Sequence, residues 1–123
     1  MSDPNLIVLY VNNPAASSKF YSELIGHNAA ESSPNFVMFA LQNGLMLGLW
    51  AKDDVVPATT MSGGGTEIAF TVENEQKLDE AHSLWKGRGM CIVQAPVQMD
   101  FGYTFVALDP DAHRLRVFSP TAR

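Results

Sequence analysis

The chain states one short plan twice. The apolar run Leu6-Ile7-Val8-Leu9-Tyr10-Val11 leads through Asn12-Asn13-Pro14 into a helical pattern that stops at Gly26. The run Glu67-Ile68-Ala69-Phe70-Thr71-Val72 leads through Asn74 into a second helical pattern that stops at Gly87 and Gly89. Val11 stands to Val72 as Gly26 stands to Gly87, and Ile7 and Leu9 recur at the same displacement as Ile68 and Phe70. A constant displacement through both strand and helix marks a duplicated supersecondary unit.

Each copy continues in the same way. In the first half, Asn13 suits an N-cap and Pro14 the first helical position. A helix is predicted over 15–25, with Phe20, Tyr21, Leu24 and Ile25 as its apolar stripe. Three β segments follow at 29–32, 35–41 and 45–50, the last two joined by Gln42-Asn43-Gly44, a strong hairpin signal. In the second half Leu78, Ala81, Leu84 and Trp85 supply the inner face of the helix, and the β segments fall at 90–95, 103–108 and 114–118. The reading is α+β: two βαβββ repeats in a single domain over 1–123, with repeat one at about 5–51 and repeat two at about 66–119. Residues 52–65, with Pro57 and Ser62-Gly63-Gly64-Gly65, form the linker. Residues 1–5 and 119–123 are expected to fray.

Bulk properties narrow the partners. A chain of 123 residues that is 46% hydrophobic can bury a core. Thirteen acids against eight bases give a net charge of −5, which disfavours nucleic acid and anionic membrane surfaces. No stretch approaches the length of a membrane span, and no signal peptide is read at the N-terminus, so a cytoplasmic location is expected. Cys91, the one cysteine, sits between Met90 and Ile92 and reads as a small buried strand residue.

Strand alternation assigns the faces. Ile7, Leu9 and Val11, with Leu47 and Leu49, pack under the first helix, while Tyr10, Met46, Gly48 and Trp50 face the other way. Ile68, Phe70, Val72, Leu115 and Val117 pack under the second helix, while Glu67, Arg114, Arg116 and Phe118 face away. Phe36, Met38, Tyr103 and Phe105 are assigned to the same outward side. An outward face this apolar needs a cover. It is either a second core layer or dimer contact, or a concave site for a ligand with a few fixed polar groups. The candidate ligand-binding residues are Trp50, Met46, Tyr103, Phe105, Phe36, Met38, Tyr10, Glu67 and Arg116. Trp50 offers a ring for stacking, and Met38 and Met46 adaptable, polarizable contacts. Arg116 pairs either with Glu67 or with the ligand.

The paired βαβββ units, the Asn-Asn-Pro start with Phe20-Tyr21 and Gly26, and the Asp109-Pro110-Asp111 turn resemble the vicinal oxygen chelate superfamily of glyoxalases, extradiol dioxygenases and bleomycin-resistance proteins. Leu9-Tyr10-Val11, Leu49-Trp50, Glu67-Ile68, Phe101-Gly102-Tyr103-Thr104-Phe105 and the Arg116 strand resemble its phenazine-resistance members. The resemblance implies curved mixed sheets around a cavity and an intertwined homodimer, with pockets between repeats or subunits. It places the superfamily's four metal-ligand positions at Leu6, Gly48, Glu67 and Arg116, of which Glu67 alone could bind a metal. His27, His82 and His113 read as surface or structural. No metal and no cofactor are therefore expected.

Other chemistries fail on inspection. Gly63-Gly64-Gly65 lacks the lysine and hydroxyl of a phosphate loop, and Asp109 and Asp111 read as turn formers. The resulting expectation is a non-enzymatic protein that binds and sequesters a planar hydrophobic antibiotic or aromatic metabolite and so confers resistance. The alternatives are a divergent metal-dependent enzyme of the glyoxalase or dioxygenase kind, or a non-catalytic interaction domain.

Overall fold

A computed structural model describes residues 1–60 and 63–121; Met61 and Ser62 of the expected linker, and Ala122 and Arg123, lie outside the described residues. The chain forms two compact units, Met1–Gly63 and Gly64–Arg123. The first contains β1 (Leu6–Val11), α1 (Pro14–Ile25), β2 (Glu31–Ser32), β3 (Phe36–Ala40) and β4 (Met46–Ala51), followed by a short 3₁₀ turn at Lys52–Asp54. The second contains β5 (Glu67–Thr71), α2 (Glu75–Gly87), β6 (Cys91–Met99), β7 (Gly102–Leu108) and β8 (Arg114–Pro120). Each unit holds one four-stranded mixed sheet, in the order β1-β4-β3-β2 and β5-β8-β7-β6. The first and last strands of each unit are parallel neighbours, and the remaining pairings are antiparallel.

Both helices begin where their side chains can cap them. Asn13 Oδ1 accepts from the Ala16 amide at 3.1 Å, and Asn74 Oδ1 from the Lys77 amide at 2.8 Å. Each satisfies one of the amides a helix start leaves unpaired. Gly26 ends α1 at φ 85°, a left-handed position that glycine adopts without steric cost.

The core of the first unit is Leu9, Val11, Tyr21, Val37, Phe39, Leu47 and Leu49. The side chains of β1, β3 and β4 under α1 are the ones alternation assigned there, except that Ile7 is 45% exposed. In the second unit Leu78 and Trp85 of α2 are buried, and Trp85 meets Phe70 and Phe105 edge-on at 5.8 and 5.3 Å. Each large apolar side chain fully buried in this way contributes about 1.5–3 kcal/mol.

Several expectations are corrected. Leu84 is 52% exposed rather than core. At 100° per residue it stands about 120° round the helix from Leu78, and His82 occupies the inner position instead, its ring 5.2 Å from Phe105. Cys91 is exposed, since it opens β6, the last strand of its sheet. That strand runs to Met99, past the expected limit, with register irregularities at Ile92/Gln94 and Gln94/Val97 that break its alternation. The C-terminal residues to Thr121 are ordered into the sheet: β8 reaches Pro120 and the Thr121 amide donates to the Phe101 carbonyl at 3.0 Å.

Candidate ligand-binding site

On the first sheet, the face away from α1 carries three cross-strand rows. Tyr10, Trp50 and Phe36 form one, Val8, Gly48 and Met38 the next, and Leu6, Met46 and Ala40 the third. Five candidate residues, Tyr10, Phe36, Met38, Met46 and Trp50, are therefore brought together on one open face, each partly exposed. Tyr10 and Phe36 flank Trp50 edge-to-face, both with ring centroids 6.4 Å away and interplanar angles of 74° and 85°. This places the rings where T-shaped pairs are favourable and holds Trp50 from both sides.

Gly48 makes this arrangement possible. A Cβ at that position would lie 2.8 Å from Cζ of Phe36 and 3.4 Å from Cγ2 of Val8. The ring of Phe36 thus leans across the strand where any other residue would project.

The second sheet's face away from α2 is polar at its centre, where Thr104 and Val106 are fully buried. Arg116 donates from Nε to Glu67 Oε1 at 2.7 Å and from Nη1 to Thr104 Oγ1 at 3.2 Å. The Thr104 hydroxyl in turn donates a hydrogen bond to the Val117 carbonyl at 2.7 Å. The guanidinium lies 5.6 Å from the centroid of Phe101, which meets Phe118 edge-on at 6.0 Å. A cation with two fixed hydrogen bonds and an aromatic face beneath it is held in one plane.

Tyr103 and Phe105 do not belong to this face. Phe105 is 0% exposed and packs on Trp85 and His82 of α2. The hydroxyl of Tyr103 donates to Asp79 of α2 at 2.8 Å. That hydrogen bond to a carboxylate, with some desolvation, raises the phenol's pKa above its ordinary value. Both residues point to the helix side because Phe105 pairs with Val117 across the β7–β8 hairpin, and cross-strand partners share a face. The outward residues of β7 are Thr104, Val106 and Leu108. Sequence reasoning overlooked Thr104 and Phe101; the parity of the hairpin was the signal for the first.

The turn joining β7 and β8 is built on Asp109. Its Oδ1 accepts from the Asp111 and His113 amides at 2.9 and 2.8 Å, and its Oδ2 lies 2.8 Å from Nδ1 of His113. This contact raises the pKa of the buried His113 above its ordinary value, against the opposing effect of desolvation. Asp109 is thus a structural acceptor, and the turn is closed by its side chain.

The four positions at which the superfamily resemblance expects metal ligands are Leu6, Gly48, Glu67 and Arg116. Leu6 and Gly48 have no side-chain donor, and the carboxylate of Glu67 is engaged by Arg116. Among the described residues no three His, Cys, Asp or Glu side chains cluster as a metal site would require. These residues do not fit a zinc-type centre.

A sequence model of the Glyoxalase/Bleomycin resistance protein/Dioxygenase superfamily matches residues 4–117, and the chain belongs to that family. The phenazine antibiotic resistance protein EhpR of Enterobacter agglomerans is 26% identical over 119 residues, 93% of this chain and 89% of that protein. The solution structure of protein ATC0852 from Agrobacterium tumefaciens is 48% identical with a TM-score of 0.91, covering 99% of this chain and all of that one. Lactoylglutathione lyase from the same organism shares the fold at a TM-score of 0.73 and 16% identity, over 97% of this chain and 94% of that one. The family's own description spans glyoxalases, dioxygenases and bleomycin-resistance proteins. Neither described helix is long and apolar enough to cross a membrane.

Proposed function

We propose that this protein binds a planar, hydrophobic antibiotic or aromatic metabolite of the phenazine kind and sequesters it without catalysis. The observation that carries the reading is the open face of the first sheet, where Trp50 is held edge-on by Tyr10 and Phe36 at 6.4 Å each, beside Gly48 and flanked by Met38 and Met46. A flat ring system laid on such a surface gains area burial and offset stacking together. The methionines adapt to its outline. The side chains at the expected metal positions support the non-catalytic part of the reading, as does the similarity to a phenazine resistance protein. Sequestration confers resistance by mass action, because ligand held by the protein is not free to act. The proposal extends to a cytoplasmic homodimer, for which sedimentation is the direct measurement.

The test is a titration of the purified protein with phenazines, quinones and bleomycin-like compounds, followed by melting temperature and calorimetry. Saturable binding of a flat aromatic at micromolar or tighter dissociation constant, with a matching rise in melting temperature, is expected. Turnover of a thiol hemiacetal or a catechol on addition of Zn, Ni, Mn or Fe, without flat-ligand binding, would overturn the reading in favour of an enzyme.

A further inference from the structure

From the side chains around Trp50 we infer that the open face of the first sheet prefers a positively charged flat aromatic ligand to a neutral or anionic one of the same shape. This rests on the flat-ligand reading above and adds the charge class of the ligand.

Three observations carry it. First, Tyr10 and Phe36 stand on either side of Trp50, their rings at 74° and 85° to it, and all three are partly exposed. Ring faces carry partial negative charge, so a cation laid on this row gains an attraction that a neutral ring lacks. Second, a carboxylate stands at the margin of the row. Glu31 pairs with Met38 across β2 and β3, and cross-strand partners share a face. It therefore extends the row of Val8, Gly48 and Met38 onto the same open side. Phe36 is its diagonal neighbour, about 7–8 Å away in an antiparallel pair. Met38, partly exposed beside both, can turn aside for a ligand that spans them. Glu31 itself is exposed, and among the described residues no ion pair answers its charge. Third, no cation competes for the place. Residues 1–63 hold two lysines and no arginine. Lys19 lies on α1, behind the sheet, and Lys52 lies in the 3₁₀ turn with Asp53 and Asp54. His27 turns to the helix side, its ring 6.3 Å from the buried Phe39. An aromatic row beside one unanswered carboxylate fits a flat ring system with a positive charge, such as an N-alkylated or protonated nitrogen heterocycle.

The test is calorimetric titration of the whole protein, in the dark, with phenazine, N-methylphenazinium and phenazine-1-carboxylate. The three probes share one outline and differ in charge. At low salt N-methylphenazinium is expected to bind about tenfold more tightly than phenazine, and the carboxylate more weakly than either. In about 1 M salt, where the screening length shrinks to about 3 Å, the preference should fall to about threefold, the share left to the rings. Glu31→Gln removes the charge with little change of shape and is expected to bring the same fall to about threefold at low salt. Glu31→Lys is expected to bring the cation and phenazine to about equal affinity. Glu23→Gln removes the same charge from the exposed side of α1 and is expected to leave the preference at about tenfold. Thermal melts of each variant establish that it folds. Phenazine or the carboxylate bound at least as tightly as N-methylphenazinium, or equal effects of Glu31→Gln and Glu23→Gln, would overturn this inference and leave the flat-ligand reading standing. Failure of all three probes to bind the unaltered protein would overturn both.

Discussion

Row by row, the faces of the two sheets turned away from their helices correspond. Tyr10, Trp50 and Phe36 stand in the first where Thr71, Phe118 and Thr104 stand in the second, and Val8, Gly48 and Met38 where Ala69, Arg116 and Val106 stand. The backbone plan is the same, and the chemistry at its centre is reversed. At one position the first half has no side chain at all, and the ring of Phe36 leans into the space. At the matching position the second half has a guanidinium, bonded to Glu67 and Thr104. The comparison teaches that duplication fixes where side chains point and leaves open what they do. The first face is aromatic and adaptable. The second has two opposed charges that hold β5 to β8.

Four measurements would break or sharpen this contrast. The largest effect belongs to the two tryptophans. Trp85 fills the layer between α2 and its sheet, so Trp85→Ala is expected to cost about 3–5 kcal/mol in urea unfolding. Trp50 is partly exposed on the open face, and Trp50→Ala is expected to cost about 1 kcal/mol or less while weakening ligand binding strongly. Equal losses of stability would refute the assignment of faces.

Next is Gly48→Val. The added side chain meets Phe36 and Val8, with an expected cost of about 1–3 kcal/mol from overpacking. Ligand affinity should fall with it as Phe36 is displaced from Trp50. A variant of unchanged stability and affinity would mean that the ring has other room. Smaller again is Arg116→Ala, expected to cost about 1–2 kcal/mol because Glu67 and Thr104 lose a partner while Glu67 keeps some access to water. A more stable protein on chemical unfolding would show that the pair serves recognition at the expense of stability.

The smallest effect is pH dependence from the β7–β8 turn. His113 has its pKa raised by Asp109, so the folded state holds the proton more tightly than the unfolded state. Its contribution is complete below the ordinary histidine value of about 6.5 and is lost as pH rises through the higher folded-state value. Unfolding at a series of pH values across that range should show stability falling, and Asp109→Asn should flatten the slope. An unchanged slope in Asp109→Asn would remove the carboxylate as the cause.

Much of the fold was legible because it rests on local rules. The repeat, the asparagine caps, the Gly26 stop and the faces of β1, β4, β5 and β8 all follow from spacing that no tertiary contact overrides. The misplacement of Tyr103 and Phe105 came from reading β7 by its large aromatics rather than by its partner. Leu108 closes the hairpin against Arg114, so Phe105 must lie opposite Val117, already assigned to the core; parity alone settles the face. β6 was less legible, because its irregular register removes the alternation that would have marked its faces and its end. Leu84 was misread because an apolar residue one position from a buried tryptophan looks like part of the same stripe. The Glu67–Arg116 contact was open from sequence, since two residues far apart in the chain can pair with each other or with a ligand. Only the hydrogen-bond geometry decides.

The most direct test of the account places the ligand by fluorescence in two single-tryptophan proteins. Trp85→Phe leaves Trp50 as the reporter, and Trp50→Phe leaves Trp85. On titration with phenazine, the protein retaining Trp50 should be quenched to saturation at one ligand per chain, and the protein retaining Trp85 should bind more weakly with little change in emission. Strong saturable quenching of Trp85, with Trp50 silent, would contradict the claim that the open face of the first sheet is where a flat ligand lies.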